Sequence, residues 1–521
     1  MNKKRFSMIS YLKGKANINN ILLLEGLAVG LLAGLVACLY RFLLAYGEQL
    51  CFNIASYVKT NYIYIIALFG FLVVLGLIIS WFLRFEPYIS GSGIPQVEAE
   101  MIDKIDEPWH RVIIAKMIAG TLSILGGLSL GREGPSIQLG AMVGKGIAKV
   151  LHRIKIEEKF LLTCGAAAGL SAAFNAPLAG VLFALEEIHK NFSPLALVSV
   201  MVASLTGDFI SKNLFGMTPS LYFPLTQSLP LNQYGYLLGL GLITGIAGVF
   251  YNRMTMVLLS LFDKITCLKN HQKVLIPLFV SGIVMFVCPE LLCGGHHIVD
   301  ILHNQSLVLS SVLLLLLLKF LFSLVSFASG APGGIFFPML VLGSLIGCSY
   351  GLVIIRFAGV DTIYLNNYIV VAMAGLFAGI VRAPITGIVL IAEMCGSLSQ
   401  FLPISVCAFV GYVVANALKS EPIYHSLLKR LIKDKDDELL EDKVILHYSL
   451  ELGSCCLDLP IKDLGLPQEC LILSITRGID EIVPRGDTIL RLGDQLTILA
   501  DRHHIEVTKD ILHKFFSIEY E

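Results

Sequence analysis

The sequence predicts an all-α polytopic membrane protein with a small soluble α+β domain at its C-terminal end. Three observations predict it. Of the 521 residues, 55% are hydrophobic and only 15% are charged, with a mean hydropathy of +0.76. A soluble domain carries about 25% charged residues, so lipid must be the solvent for most of this chain. The apolar stretches are interrupted by glycine and proline, and the composition turns polar after Lys419.

In chain order, residues 1–20 form a basic segment (Lys3, Lys4, Arg5, Lys13, Lys15) expected to be cytoplasmic, and residues 21–45 form the first span. That span is too long for a cleavable signal and lacks a small-residue cleavage pattern. Stretches 63–83, 237–261 and 307–327 are ordinary spans. Stretches 137–148, 166–174, 177–185, 335–347 and 383–392 are short and broken. Broken backbone at membrane depth is tolerated only where it is buried in protein or lines a cavity, so the breaks point to a transport path. The basic residues Lys419, Lys429, Arg430, Lys433 and Lys435 follow the last span and place the second end of the membrane domain in the cytoplasm as well. The membrane domain is bounded at 21–428, a charged linker at 429–443 and a soluble domain at 444–521. In the last, 471–475 and 495–499 read as strands between turn signals and 505–516 as a helix.

The chain also repeats itself. Asn175-Ala176-Pro177-Leu178-Ala179-Gly180 aligns with Arg382-Ala383-Pro384-Ile385-Thr386-Gly387, and a glutamate stands nine residues past each proline, Glu186 and Glu393. Pro135 and Pro338 each have glycines five and nine residues later: Gly140 and Gly144, Gly343 and Gly347. Two matches in the same order predict two related halves, roughly 21–221 and 237–418. Such duplication with interrupted helices points to a binding site at the membrane midplane.

Three glycine-rich segments carry the chemistry: Gly91-Ser92-Gly93-Ile94-Pro95, Gly131-Arg132-Glu133-Gly134-Pro135 and Gly333-Gly334-Ile335-Phe336-Phe337-Pro338. Each joins glycines, which admit close approach of a ligand to backbone, to a proline suited to a helix start. Helix starts present free N–H groups and partial positive charge, and so hold an anion without a full cation nearby. A carboxylate at membrane depth costs several kcal/mol, which singles out Glu133. It either caps its helix or acts as a tethered anion that blocks the path when charged and swings away when protonated. Glu186 and Glu187 precede the polar His189-Lys190-Asn191. They read locally as a helix emerging into water, and functionally as a proton relay. Lys116, alone in an apolar helix at 112–124, either raises the local potential or snorkels to an interface. His296 and His297 follow Gly294-Gly295 and read as a solvated loop pair. No metal site is expected, and the twelve cysteines, lacking any C-x-x-C pair, read as apolar fillers in a reducing compartment.

The three segments, in this order and separation, resemble the signature motifs of the CLC chloride channels and transporters over roughly residues 20–430. The resemblance implies a homodimer, each subunit with its own anion pathway built from two inverted halves of tilted, broken helices. By position, Ser92 and the backbone N–H groups of Ile335 and Phe336 would bind the central anion, and Tyr424 would complete that site from the inside. Glu133 matches the gating glutamate, with Gly131, Arg132 and Gly134 supporting it. Glu187 matches the internal proton glutamate typical of exchangers, and Lys116 the family's buried lysine. Ser92 stands where nitrate-preferring relatives carry proline; Phe337 replaces a residue that is often small; Asn191 stands near a position where bacterial exchangers often have glutamine. The C-terminal pattern from Ile475 to Leu496 is similar to the TrkA-C (RCK-C) regulatory module, which pairs across dimers and binds small effectors.

The expected function is therefore chloride/proton antiport across a bacterial cell (inner) membrane, with a passive chloride channel as the alternative in the same fold. A regulated cation transporter is the rival from another class, set back by the lack of a filter motif such as T-V-G-Y-G. No acid–base or nucleophile motif suggests an enzyme. No cofactor and no nucleic-acid partner are expected; chloride, protons and the bilayer are, together with a possible small effector of the C-terminal domain.

Overall fold

A computed structural model describes residues 8–60, 62–190, 194–217, 221, 223, 227–304, 308–433, 443–450, 454, 456–466, 470–477, 480–501 and 512. The chain divides into two compact units, Met1–Leu431 and Ile432–Glu521.

The first unit is helical throughout. Its first half contains α1 (Met8–Thr60), α2 (Ile65–Phe85), α3 (Ile94–Met101), α4 (Trp109–Leu125), α5 (Glu133–Val150), α6 (Lys155–Phe174), α7 (Pro177–Phe183) and α8 (Pro194–Phe215). The second half contains α9 (Tyr234–Asp263), α10 (Leu275–Val287), α11 (His296–Asn304), α12 (Leu309–Ala328), α13 (Phe336–Ala358), α14 (Leu365–Val381), α15 (Pro384–Cys395) and α16 (Phe401–Ala417). Helix α17 (Ile423–Lys433) follows. Among the described residues seven helical stretches are long and apolar enough to cross a membrane, so the unit is an integral membrane domain. Helix α1 already runs from Met8, so the described part of the segment ahead of the first span is helical. Lys3, Lys4 and Arg5 lie outside the described residues, as do most of the charged linker and Asn191.

The two halves use the same packing. Helices α1, α6 and α8 pack mutually, and α9, α14 and α16 do so in the second half; α5 lies on α6 as α13 lies on α14. Special backbone conformations recur at matched positions. Gly93 and Gly295 have φ of +96° and +104°, Gly127 and Gly330 both have +77°, and Asn175 and Arg382, which end α6 and α14, have +56° and +71°. The repeated glycines have a packing role: a Cβ on Gly140 would run into the backbone oxygen of Gly165 across the α5–α6 contact.

The halves are inverted. Helices α7 and α15 lie against each other, and each ends in a carboxylate that reaches the start of the other. Glu186 Oε2 accepts hydrogen bonds from the Thr386 N–H (3.0 Å) and hydroxyl (2.7 Å). Glu393 accepts from the N–H groups of Leu178 (3.1 Å) and Ala179 (2.8 Å). Reciprocal capping at opposite ends requires antiparallel helices, and it satisfies donors that neither helix can satisfy internally.

The second unit is a four-stranded antiparallel sheet, β1 (Lys443–Ser449), β2 (Cys470–Arg477), β3 (Asp480–Ile482) and β4 (Gln495–Asp501), in the order β1-β4-β2-β3. Alternate residues of β4 (Leu496, Ile498) join Leu450, Cys456, Leu464, Ile472, Ile475 and Leu490 in its core. The helix expected at 505–516 lies outside the described residues except Leu512, which is helical and buried in that core. Asp494 is fully buried and takes two hydrogen bonds from Arg477, each 2.8 Å, and one from the Arg491 N–H at 2.9 Å. Burial alone would push its carboxyl up; these donors outweigh that and hold it below the usual carboxylate range.

Candidate functional site

The three glycine-rich segments, far apart in sequence, are joined by backbone hydrogen bonds. Gly131 N–H donates to Gly334 O (2.6 Å), and Gly334 N–H donates back to Gly131 O (2.8 Å). Gly91 N–H donates to Gly330 O (3.3 Å), and Gly333 N–H donates to Gly91 O (3.0 Å). Each segment leads into a helix, so the starts of α3, α5 and α13 are brought to one place, two from the first half and one from the second.

Lys116 does not snorkel. It is fully buried in α4, and its ammonium group donates to Ile89 O (2.8 Å) and Gly91 O (2.7 Å), fixing the loop that carries Ser92. The second half has a counterpart that sequence reading passed over. Lys319, 203 residues later and equally buried in α12, donates to Leu291 O and Cys293 O, both at 2.9 Å. The signal was present: the same offset relates Gly131 to Gly334 and Ser123 to Ser326.

Ser92 is buried over Gly134, where any side chain would collide with its hydroxyl and carbonyl. The Ser92 and Tyr424 hydroxyl oxygens are both buried with no hydrogen-bond partner among the described residues. Tyr424, at the start of α17, stands edge-on to Phe183 with ring centroids 6.3 Å apart, and Phe183 packs on Phe336 at 6.0 Å. Phe336 also meets Phe174 and Phe377, so the first turn of α13 is anchored by an aromatic cluster. Ile335 is its N-cap, and Pro338 lies in its first turn, as the motif predicts.

Glu133 begins α5 with no exposure, and neither carboxylate oxygen has a hydrogen-bond partner among the described residues. The nearest cation is the Arg132 Nε at 3.8 Å. The carboxylate folds over Gly131, whose α-carbon also faces the Phe337 N–H. Glu133 therefore lies among helix starts, facing the backbone N–H groups of Arg132, Glu133 and Phe337 without the hydrogen-bond geometry of an ordinary capping residue. A cavity of about 20 Å³ adjoins it, lined in part by Arg132, Gly294 and His296. His296 corrects half of the expectation of a solvated loop pair: it is half-buried at the start of α11, its ring nitrogens out of solvent, and stacks on Phe337 with centroids 3.9 Å apart, while His297 is exposed.

Glu186 and Glu187 lie on a π-helical turn, Ala184–His189, that ends α7. Such turns frequently occur at functional sites. Neither carboxylate simply emerges into water: Glu186 caps α15, and Glu187 is buried at 9% exposure. Helix α3 packs over this turn and brings in Glu98, an electrostatic neighbour of Glu187. Glu98 is 2% exposed and lies 3.7 Å from the Lys190 ammonium. The Tyr424 phenol has both Glu187 and Glu133 as electrostatic neighbours. Among the described residues, no three or more His, Cys, Asp or Glu side chains cluster as a metal site would need.

Comparison with known proteins agrees with this geometry. The family described as voltage gated chloride channel matches residues 75–416, and the TrkA-C domain matches residues 448–513. The H(+)/Cl(-) exchange transporter ClcA of Vibrio cholerae serotype O1 (strain M66-2) is 33% identical over 426 residues, covering 78% of this chain and 89% of the relative. A slow cyanobacterial Cl−/H+ antiporter shares the fold with a TM-score of 0.76 and 29% identity, covering 80% of this chain and 99% of that one. A CLC-type fluoride/proton antiporter, at 22% identity and a TM-score of 0.65 over 78% of this chain and 97% of its own, shares the fold. Motif loops, inverted halves and sequence thus agree: the chain belongs to the voltage gated chloride channel family and carries a TrkA-C domain after its membrane unit.

Proposed function

We propose that this protein exchanges chloride for protons across a membrane, with Glu133 as the gate and Glu187 as the internal proton acceptor. One observation carries the reading: a buried carboxylate that faces backbone N–H groups without a hydrogen-bond partner among the described residues, set where three helix starts meet and beside buried hydroxyls that likewise lack one there. Chloride accepts hydrogen bonds from the Ser92 and Tyr424 hydroxyls and from the N–H groups of Ile335 and Phe336. Charged, Glu133 competes for the same positive field and closes the path. Protonated, it loses that attraction and leaves, so that chloride enters as the proton departs. Gly131 and Gly134 give the carboxylate and Ser92 their space, Arg132 supplies the nearest positive charge, and Lys116 holds the Ser92 loop. Glu187, with Glu98 and Lys190 beside it, receives protons from the cytoplasmic side.

The relatives, an H(+)/Cl(-) exchange transporter and a Cl−/H+ antiporter, support exchange over a channel, an enzyme or a cation transporter. In the cell the chain is a homodimer in the bacterial inner membrane with both termini cytoplasmic, as the basic clusters at both ends of the membrane domain indicate. It uses no cofactor and binds no nucleic acid. A cavity on the second unit, bordered by Lys462 and Arg485, suits a small anionic effector. Proteoliposomes given a chloride gradient but no proton gradient will move protons. Chloride flux without proton movement would leave a passive channel, and no anion flux would overturn the assignment.

A further inference from the structure

The cavity beside Glu133 has a second titratable wall. Its volume of about 20 Å³ admits one water. It runs between Glu133 and Arg132 at the start of α5, Glu48 of α1 and His296 of α11, both half-buried, with the two ring nitrogens of His296 out of solvent. Neither ring nitrogen of His296 has a hydrogen-bond partner among the described residues. A buried polar group left unpaired costs about 1–3 kcal/mol, so such a ring calls for a reason. Its placement is held rather than incidental. The ring lies nearly parallel to Phe337, at 17°, with Nδ1 turned back over Gly294. Gly295, at φ +104°, sets the approach to α11, and Lys319 clamps the preceding loop through two carbonyls.

We propose that His296 carries protons between the solution on the Glu48 side and Glu133, across this cavity and through one water. The proposal rests on the exchange reading above. A neutral imidazole has one N–H donor and one acceptor nitrogen, and its ordinary titration range lies nearest neutrality. A proton arriving from solution adds to the free ring nitrogen. The opposite N–H gives up its proton to the water, and the water passes one to the Glu133 carboxylate. The ring is left neutral in its other tautomer, and a half-turn of the imidazole about its Cβ–Cγ bond resets it for the next proton. The charged groups around the ring are Arg41 and Glu48 on α1, Arg132 and Glu133 on α5 and Lys319 on α12, with His297 and Asp300 on its own helix. Glu290, in the turn before α11, is engaged by the Cys288 thiol at 3.2 Å, and α13 offers the apolar Phe337. Cations outnumber the carboxylates facing the ring from neighbouring helices, so a proton placed on it is passed on rather than stored.

His296→Phe keeps the stacked ring and removes both nitrogens. In oriented proteoliposomes its chloride-coupled proton movement should fall about tenfold. Exchange by this variant should depend less steeply on pH at the Glu48 face than exchange by the unsubstituted protein. The same substitution in a Glu133→Gln background, where Glu133 takes no proton, should leave chloride flux unchanged, which also reports an intact fold. Unaltered proton movement and pH profile would overturn the proposal. So would a loss of chloride flux in the Glu133→Gln background, which would make the ring an anion ligand or a packing group. If the unsubstituted protein moves chloride without protons, the exchange reading itself fails, and this relay with it.

Discussion

Gly131 and Gly334 exchange both backbone hydrogen bonds, at 2.6 and 2.8 Å, and so tie the segment that carries Glu133 in the first half to the segment that carries Ile335 and Phe336 in the second. A methyl group on Gly131 would meet the Glu133 carboxylate and lie 3.0 Å from the Phe337 nitrogen. Gly131→Ala should therefore lower chloride flux at least tenfold in reconstituted vesicles. Gly235→Ala, at a helical position with open space, serves as the control and should leave flux unchanged.

Lys116 and Lys319 should prove equivalent for stability. Each makes two charge-assisted hydrogen bonds, worth about 1.5–3 kcal/mol apiece, to backbone carbonyls of a loop. Lys116→Met and Lys319→Met should lower the thermal inactivation temperature by similar amounts. A large loss for one and none for the other would contradict the inverted-repeat account of their roles.

The buried hydroxyls of Ser92 and Tyr424 lack partners among the described residues, so removing them leaves no orphaned donor there. Ser92→Ala and Tyr424→Phe should fold normally and weaken chloride binding by about 0.5–1.5 kcal/mol each, a few-fold to about tenfold in Kd by calorimetry. Unchanged affinity in both would remove these hydroxyls from the site.

In the second unit the Asp494 carboxyl titrates below its unfolded value because Arg477 and the Arg491 N–H outweigh its burial. Its stabilisation is thus complete above the unfolded pKa, about 3.9, and is lost as pH falls through the folded value. Hydrogen exchange of β2 and β4 in the full-length protein should accelerate in acid below about pH 4. Asp494→Asn should flatten that dependence.

The glycine–proline segments were legible in the sequence because breaks of that kind have few uses at membrane depth, and the repeat was legible because its prolines and glycines keep their spacing. Glu98 was not: its relation to Glu187 depends on α3 packing over a π turn some 90 residues away, which local pattern does not encode. The Glu186–Glu187 pair resembled a helix end because polar residues follow it, and only the antiparallel α7–α15 pairing reveals the capping. His296 resembled a loop residue because two glycines precede it, whereas those glycines let α11 begin against Phe337. Lys319 carried the same signal as Lys116, but outside any recognised motif.

The central claim is that a proton route through Glu187 is separate from the anion route past Ser92 and Tyr424 yet coupled to it at Glu133. The most direct test records chloride efflux and internal pH together in proteoliposomes containing the unsubstituted protein or Glu187→Ala. The account predicts chloride-driven proton pumping in the first, and continued chloride flux with pumping abolished in the second. Undiminished pumping by Glu187→Ala would contradict it.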